Sequence, residues 1–361
     1  MSNVNSVPLP SNHLPSNHPL SDGRTANSTL IRAYRGDRPE TTPVWFMRQA
    51  GRSLPEYREL RVGNEMLDAC LTPELASEIT LQPVRRHGVD AGIFFSDIVI
   101  PALLAGVDVT IVPGRGPVFA NPIRSAADVA ALRPIDPAAL QPIRDAVALT
   151  VAQLGGTPLI GFAGAPFTLA SYLVEGGPSK DQQRARSMMY SDPQSWAALL
   201  NWCADVSGEF LLAQVDAGAS AVQLFDSWVG SLSERDYIRR VAPHSARVFS
   251  HLRGYDLPKV HFGLGASGFL PAMRAIGADV VGIDWRLPLN DAADAIPGVP
   301  LQGNIDPALL SAPWKTLESH VRDVVDRGLK APSHVVNLGH GVPPETDPAV
   351  LTRIVELVHS L

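Results

Sequence analysis

Eight short runs along the chain are apolar through their length instead of alternating with polar positions. They are PVWFM (43–47), DAGIFF (90–95), TPLIGF (157–162) and SAVQLF (220–225), then PKVHFG (258–263), DVVGID (279–284), VPLQGN (299–304) and HVVNLG (334–339). A strand of a parallel sheet is covered on both faces and needs no polar side, and Gly, Pro or Asp bounds each of these runs. Between them the apolar spacing changes to that of helices. Thr72-Pro73 predicts an N-cap with a first-turn proline, Leu75 and Ile79 share one face, and Gly88 marks the stop. Pro83 inside that helix predicts a kink or an early end. Asp192-Pro193 opens a long helix in which Trp196, Leu199, Leu200, Cys203, Phe210 and Leu211 recur at helical spacing. Asp306-Pro307 and Asp347-Pro348 repeat the device, and Leu351, Ile354, Val355 and Val358 give the last helix one apolar stripe.

Eight strands alternating with helices predict an α/β fold, a single-domain (β/α)8 TIM barrel over residues 28–361. A doubly wound sheet is the alternative, but no GxGxxG turn joins a strand to a helix. The segment 98–138 is too long for an ordinary strand-to-helix loop, and VTIVPGRGPVFANPIRS within it predicts a β-excursion around the PGRGP turn. Residues 1–27 are rich in Ser, Asn, Pro and His and are expected to be a disordered N-terminal extension, because they bring too little apolar surface to offset ordering. His13 and His18 in that stretch are too sparse to predict a metal tract.

Charge narrows the range of partners. With 30 basic against 36 acidic residues the formal net charge is −6, which gives no reason to expect nucleic acid. Arginines clustered in an acidic chain point instead to a local anion site. Cys70 and Cys203 are far apart in sequence and lack a Cys or His at ligand spacing, so neither a disulfide framework nor a zinc signature is expected. No run of 18 apolar residues predicts a membrane span and no signal-peptide core is present, so a soluble, cytoplasmic protein is expected.

In a barrel of this kind the site is built from loops that follow the strands. Past the first run come Arg48, Gln49 and Arg52, and past the second comes Ser96-Asp97. The third is followed by Thr168, Ser171 and Tyr172, the fourth by Asp226-Ser227-Trp228, and the eighth by His340 between two glycines. Guanidiniums pair with carboxylates or phosphates through a planar fork, and one carboxylate facing them suits ligand N–H groups. Each residue also has a plainer reading. Arg48 and Arg52 can brace the rim through Glu56 and Asp97, Asp97 can cap the next segment, Tyr172 can belong to the core and Ser227 to a turn. His340 is the hardest to read that way, because flanking glycines let an imidazole approach a ligand closely.

MRQAGRSLPEYRELR resembles the opening signature of the uroporphyrinogen decarboxylase family, as does GFAGAPFTLASYLVEGG. FFSDI, LFDSW, GIDWR, QGNIDP and NLGHGVPPETDP follow in that family's order, so the resemblance covers about residues 28–361. Ser53 departs from it, since the family usually has an aromatic residue there. The resemblance implies a barrel, usually a homodimer, that decarboxylates the four acetate groups of uroporphyrinogen III to coproporphyrinogen III in haem and tetrapyrrole synthesis, without cofactor or metal. By motif it implies substrate-binding positions at Arg48, Gln49, Ala50, Gly51, Arg52, Asp97, Tyr172, Ser227 and His340. Asp97 would accept the pyrrole N–H groups and stabilise a cationic intermediate. Arg48 and His340 are both candidates for the proton donor: the first stands nearest a reacting carboxylate but is a weak acid, with a usual pKa above ~12; the second has the more suitable ordinary pKa.

Two rivals differ in class. A zinc methyltransferase of the same barrel superfamily needs a His-X-Cys and a distant Cys, whereas His261 is followed by Phe262 and Gly263. A non-catalytic tetrapyrrole carrier would keep the arginines but would not need Asp97.

Overall fold

The computed structural model describes residues 14–361. Seven parallel strands curl into one sheet in chain order: β1 (Gly92–Ile93), then, after an antiparallel hairpin of β2 (Val109–Val112) and β3 (Gly116–Phe119), β4 (Leu159–Gly164), β5 (Ala221–Asp226), β6 (Lys259–Gly263), β7 (Val280–Gly282), β8 (Leu301–Gln302) and β9 (His334–Val335). Each strand lies beside the next in sequence, with Gly92 opposite Leu159 and Leu224 opposite His261. The hairpin is the expected excursion around PGRGP.

The first run is where the structure departs from regular pairing. Residues 43–47 form no continuous strand; Val44 makes a single parallel bridge to Val336. The Trp45 N–H donates to Val336 O at 3.2 Å, and the Asp90 N–H donates to Val44 O at 2.9 Å. Val44 therefore lies between the last and the first strand, and the ring closes there. Beyond it side-chain amides replace the ladder: the Phe46 N–H donates to Gln49 Oε1 at 3.0 Å and the Met47 N–H to Asn337 Oδ1 at 2.9 Å. Apolar patterning cannot distinguish these partners from a neighbouring strand, because the amide protons are satisfied in both cases.

Helices cover the outside. The helix Pro73–His87 packs against Gln141–Leu154, and the 24-residue helix Pro193–Asp216 lies over β4 and β5. Asp192 caps the latter through its side chain, accepting from the Ser195 N–H at 3.1 Å, and Gly88 ends the former with φ +65°. Three local expectations are met only in part. Thr72 does not cap with its hydroxyl, which bonds back to Asp68 O. The helix runs through Pro83 without ending. Asp306-Pro307 opens a 3₁₀ turn (Pro307–Ser311), and the α-helix begins only at Trp314, where Pro313 has restarted it.

The extension also needs correction where it is described. Residues 14–27, expected to be disordered, form turns under the barrel. His18 is buried, its Nε2 donates to Ala219 O at 3.2 Å, and its Nδ1 accepts from the Leu20 N–H. Thr25 shares a 2.9 Å hydroxyl contact with Ser220. Polar composition hides these anchors, which are single groups that each satisfy a backbone or hydroxyl partner at the start of β5. The expectation for residues 1–13, His13 included, lies outside the described residues.

A buried polar ladder crosses the barrel interior. The Trp45 Nε1–H donates to the Tyr34 hydroxyl at 3.0 Å, which donates to Gln302 Oε1 at 2.5 Å, and Gln302 Nε2 donates to Gln223 Oε1 at 2.9 Å. All four residues are buried. Tyr34→Phe leaves one donor and one acceptor without a partner, so the expected loss is about 2 kcal/mol. It should be read as a lower urea midpoint at unchanged slope; an unaltered midpoint would show that the ladder rearranges freely.

Candidate active site at the strand C-termini

The turn after the ring closure aims Arg48. Its φ is +61°, a left-handed conformation that costs a non-glycine residue about 1–2 kcal/mol. The surroundings impose it. Gln49 is fully buried; its own N–H donates to Phe46 O at 3.0 Å and its side-chain amide donates to Ala91 O at 2.9 Å. On the other side the Val342 N–H donates to Met47 O at 2.8 Å. The stem of Arg48 lies against Gly341, where a Cβ would come within 2.4 Å of Arg48 Cδ. Glycine is required there because backbone and guanidinium stem share one space.

Neither Arg48 nor Arg52 has a carboxylate within ion-pair distance among the described residues. Glu56, the nearest acid in sequence, is held by Arg86 through two contacts of 2.7 Å. The bracing reading through Glu56 therefore does not describe this rim. Arg52 points to solvent, and its carbonyl takes the Arg58 guanidinium at 2.9 Å. Ala50 and Gly51 are half-buried in the same turn. Ser53 is buried with its hydroxyl unpartnered, at the position where the family motif usually carries an aromatic residue.

Asp97 follows β1 and remains partly reachable by water. Its Oδ1 accepts from the Val99 N–H at 3.0 Å, which fixes the turn ahead of the helix Ile100–Leu104 without capping that helix. Burial raises its pKa, against the lowering effects of that N–H and of Arg48. Tyr172 stands half-buried nearby with its ring stacked on Trp228, centroids 4.0 Å apart. Its pKa is pushed up to about 12 by burial and by Asp97, which keeps the phenol protonated and able to donate. Thr168 is buried and joins the two loops: its hydroxyl donates to Asp226 Oδ1 at 2.7 Å and accepts from the Trp228 N–H at 3.2 Å. Ser227, half-buried, lies between those two partners in sequence. Ser171 turns inward, buried and without a hydrogen-bond partner.

His340 follows the eighth run, half-buried between its two glycines. Its pKa is lowered to about 4, by burial first and then by the positive charges of Arg48 and Arg286, against a raising effect from Asp284. It is therefore neutral at pH 7. Arg48 is the common neighbour: its charge acts on Asp97, on Tyr172 and on His340. Gln49 is different, since its side chain is occupied inside the protein and supports the turn. Strand ends also include Arg286, which the sequence reading passes over although it follows the sixth run as Arg48 follows the first.

Among the described residues no group of three or more His, Cys, Asp or Glu side chains is arranged to hold a metal ion. Both cysteines are buried, and burial pushes their thiols up. No described helix is long and apolar enough to cross a membrane.

Comparison with known proteins bears on the fold and the family. A methyltransferase from Methanosarcina mazei superposes with a TM-score of 0.78 over 93% of this chain and 98% of its own, at 18% identity, which speaks for the fold alone. The protein named uroporphyrinogen decarboxylase of Arthrobacter sp. (strain FB24) is 67% identical over 94% of this chain and 99% of its own length. The one of that name from Leifsonia xyli subsp. xyli is 62% identical over 95% and 97%. Residues 25–361 match the family described as Uroporphyrinogen decarboxylase (URO-D), and the chain belongs to that family.

Proposed function

We propose that this chain is a uroporphyrinogen decarboxylase, a carboxy-lyase that converts the four acetate groups of uroporphyrinogen III to methyl groups and gives coproporphyrinogen III and CO2 in haem biosynthesis. The observation that carries the site assignment is Arg48, held in a left-handed turn beside Asp97, Tyr172 and His340 without an acidic partner. A substrate with eight carboxylates supplies the counter-ions that the protein lacks. Arg48 and Arg52 bind carboxylates at the mouth, the Tyr172 hydroxyl and Ser227 add donors, and the Ala50–Gly51 backbone lets the ligand approach closely. Gln49 serves by holding the turn.

The chemistry follows from the pyrrole. A proton added at a ring carbon makes a cation, and the bond to the acetate carboxyl then breaks with its electron pair flowing into that cation. CO2 leaves, the exocyclic methylene takes up a proton to become a methyl, and the ring carbon returns its proton. Each acetate consumes one proton, and the ring is its own electron sink. Asp97 accepts the pyrrole N–H groups and stabilises the cation by fixed charge, worth on the order of 10²–10³ in rate. His340 is neutral in the free protein; a bound polyanion offsets the fields of Arg48 and Arg286 and raises its pKa toward the ordinary value. That gives His340 a proton to donate when substrate is present, while Arg48 holds the reacting carboxylate. A homodimer in the cytoplasm completes the reading.

Three measurements test this. Anaerobic incubation with uroporphyrinogen III, followed by oxidation and chromatography, should give products with seven, six, five and then four carboxylates, unchanged by a chelator. Absence of all four overturns the assignment. Asp97→Asn should lose about 10²–10³ in kcat with its melting temperature nearly kept, and near-normal turnover would remove Asp97 from catalysis. Titrated by NMR, His340 should be neutral above about pH 4 in the free protein, with its midpoint moving upward when uroporphyrin is bound. A midpoint that does not move would leave His340 without the donor role.

A further inference from the structure

The loop after β7 carries a third guanidinium, and several groups hold it in place. Asp284 is buried, and its carboxylate accepts from the Gly265 N–H, from the Arg286 N–H at 2.8 Å and from Arg286 Nη1 at 2.9 Å. The guanidinium lies over the Trp285 ring at 3.9 Å. The side-chain amide of Asn304, itself buried, donates to Asp284 O at 2.8 Å and to Leu287 O at 2.6 Å, which closes the loop from below. Gly339 packs so tightly on this loop that a Cβ there would stand 2.3 Å from Trp285 N. That contact joins the Trp285–Arg286 loop to the strand end that presents His340.

These restraints engage one edge and one face of Arg286. Its side chain is still 50% exposed, and among the described residues its Nε and Nη2 donors have no protein partner. A stacked guanidinium keeps its N–H groups in the ring-parallel plane, free to pair with a carboxylate from the side. Holding the fork beforehand removes most of the side-chain entropy that a loose arginine loses on binding. Arg286 and Arg48 approach His340 together, so its exposed edge belongs to the same mouth.

We infer that Arg286 is a substrate-carboxylate anchor on the His340 side of the cleft, pre-oriented by Trp285 and Asp284 to hold one carboxylate arm of the porphyrinogen while another arm reacts. This rests on the reading of the mouth given above. The role is that of binding and orientation: Arg286 neither gives nor takes a proton. Because the substrate presents a different arm to the reacting position at each of its four rounds, an anchor of this kind acts in every round and its loss accumulates.

The test uses the full chain with Arg286→Gln and Arg286→Lys, wild-type turnover of uroporphyrinogen III serving as the check on the activity itself. Arg286→Gln should raise KM for uroporphyrinogen about 10- to 100-fold, as loss of a charge-assisted pair does, and should leave kcat within about threefold. It should weaken uroporphyrin binding, measured by fluorescence quenching, by a similar factor and release more of the partly decarboxylated products. Arg286→Lys should fall between, since it keeps the charge and loses the fork. If the wild type turns over and both variants keep its KM and its uroporphyrin affinity, the anchor is wrong. The same holds if Arg286→Gln is destabilised as much as Asp284→Asn with KM unchanged, because its only task is then to pair with Asp284. If the wild type binds uroporphyrin but produces no CO2, and Arg286→Gln loses that binding, the activity assignment fails and the anchor stands.

Discussion

The rim depends on how the ring closes at Val44. One bridge to Val336 and one hydrogen bond from Asp90 take the place of a full strand, and the chain is free to turn immediately afterwards. A longer ladder would carry Phe46 and Met47 along the sheet and point Arg48 elsewhere. Instead Gln49 and Asn337 satisfy those amides with side chains, and the turn sets Arg48 against Gly341 in a conformation it would not choose alone. A few buried amides, rather than the barrel as a whole, fix the direction of the most consequential charge. They are neutral and solvent-excluded, so salt and pH leave them largely unchanged, which suits parts that aim a guanidinium.

Around that charge the mouth divides into two walls. On one, Asp97, Tyr172 and Trp228 form a surface that is flat and aromatic on one part and acidic at one point. Thr168 holds it together through Asp226 and the Trp228 N–H. On the other, His340 sits with two guanidiniums and is kept neutral by burial first and by them second. On the reading proposed above, a tetrapyrrole with an N–H core and an anionic periphery turns its centre toward the acid and its edge toward the cations, a pattern that discriminates against neutral heterocycles.

Much of this was legible in the sequence, for identifiable reasons. Uninterrupted apolar runs reported β4, β5 and β6 well because those strands are buried on both faces, and the Gly339–His340–Gly341 triplet marked a place of close approach, which the structure fills with the Trp285 backbone and the Arg48 stem. Strand ends and the motif resemblance pointed to the same candidate residues, the resemblance adding Ala50 and Gly51. What stayed hidden was the choice of partner. Gln49 looks like a rim residue by position, yet it is buried and spent on Phe46 and Ala91. Glu56 looks like the natural mate of Arg52, yet Arg86, 30 residues away in the chain, takes it. His18 and Thr25 sit in a stretch whose composition reads as unstructured, and two specific contacts under β5 decide otherwise. Pairwise choices of this kind depend on three-dimensional neighbours, which neither periodicity nor composition records.

That no carboxylate stands within ion-pair distance of Arg48 among the described residues has a thermodynamic consequence. Folding gathers like charges at the mouth that the unfolded chain keeps apart, so the protein without ligand carries a repulsion as part of its folding free energy. A polyanion binds the folded form and relieves it, adding RT ln(1 + [L]/Kd) to stability, about 2.7 kcal/mol at a hundredfold excess over Kd. Resistance to heat and to proteolysis is thereby coupled to the flow of tetrapyrrole through the cell: when the supply falls, the least-used copies of the protein are also the ones most exposed to turnover.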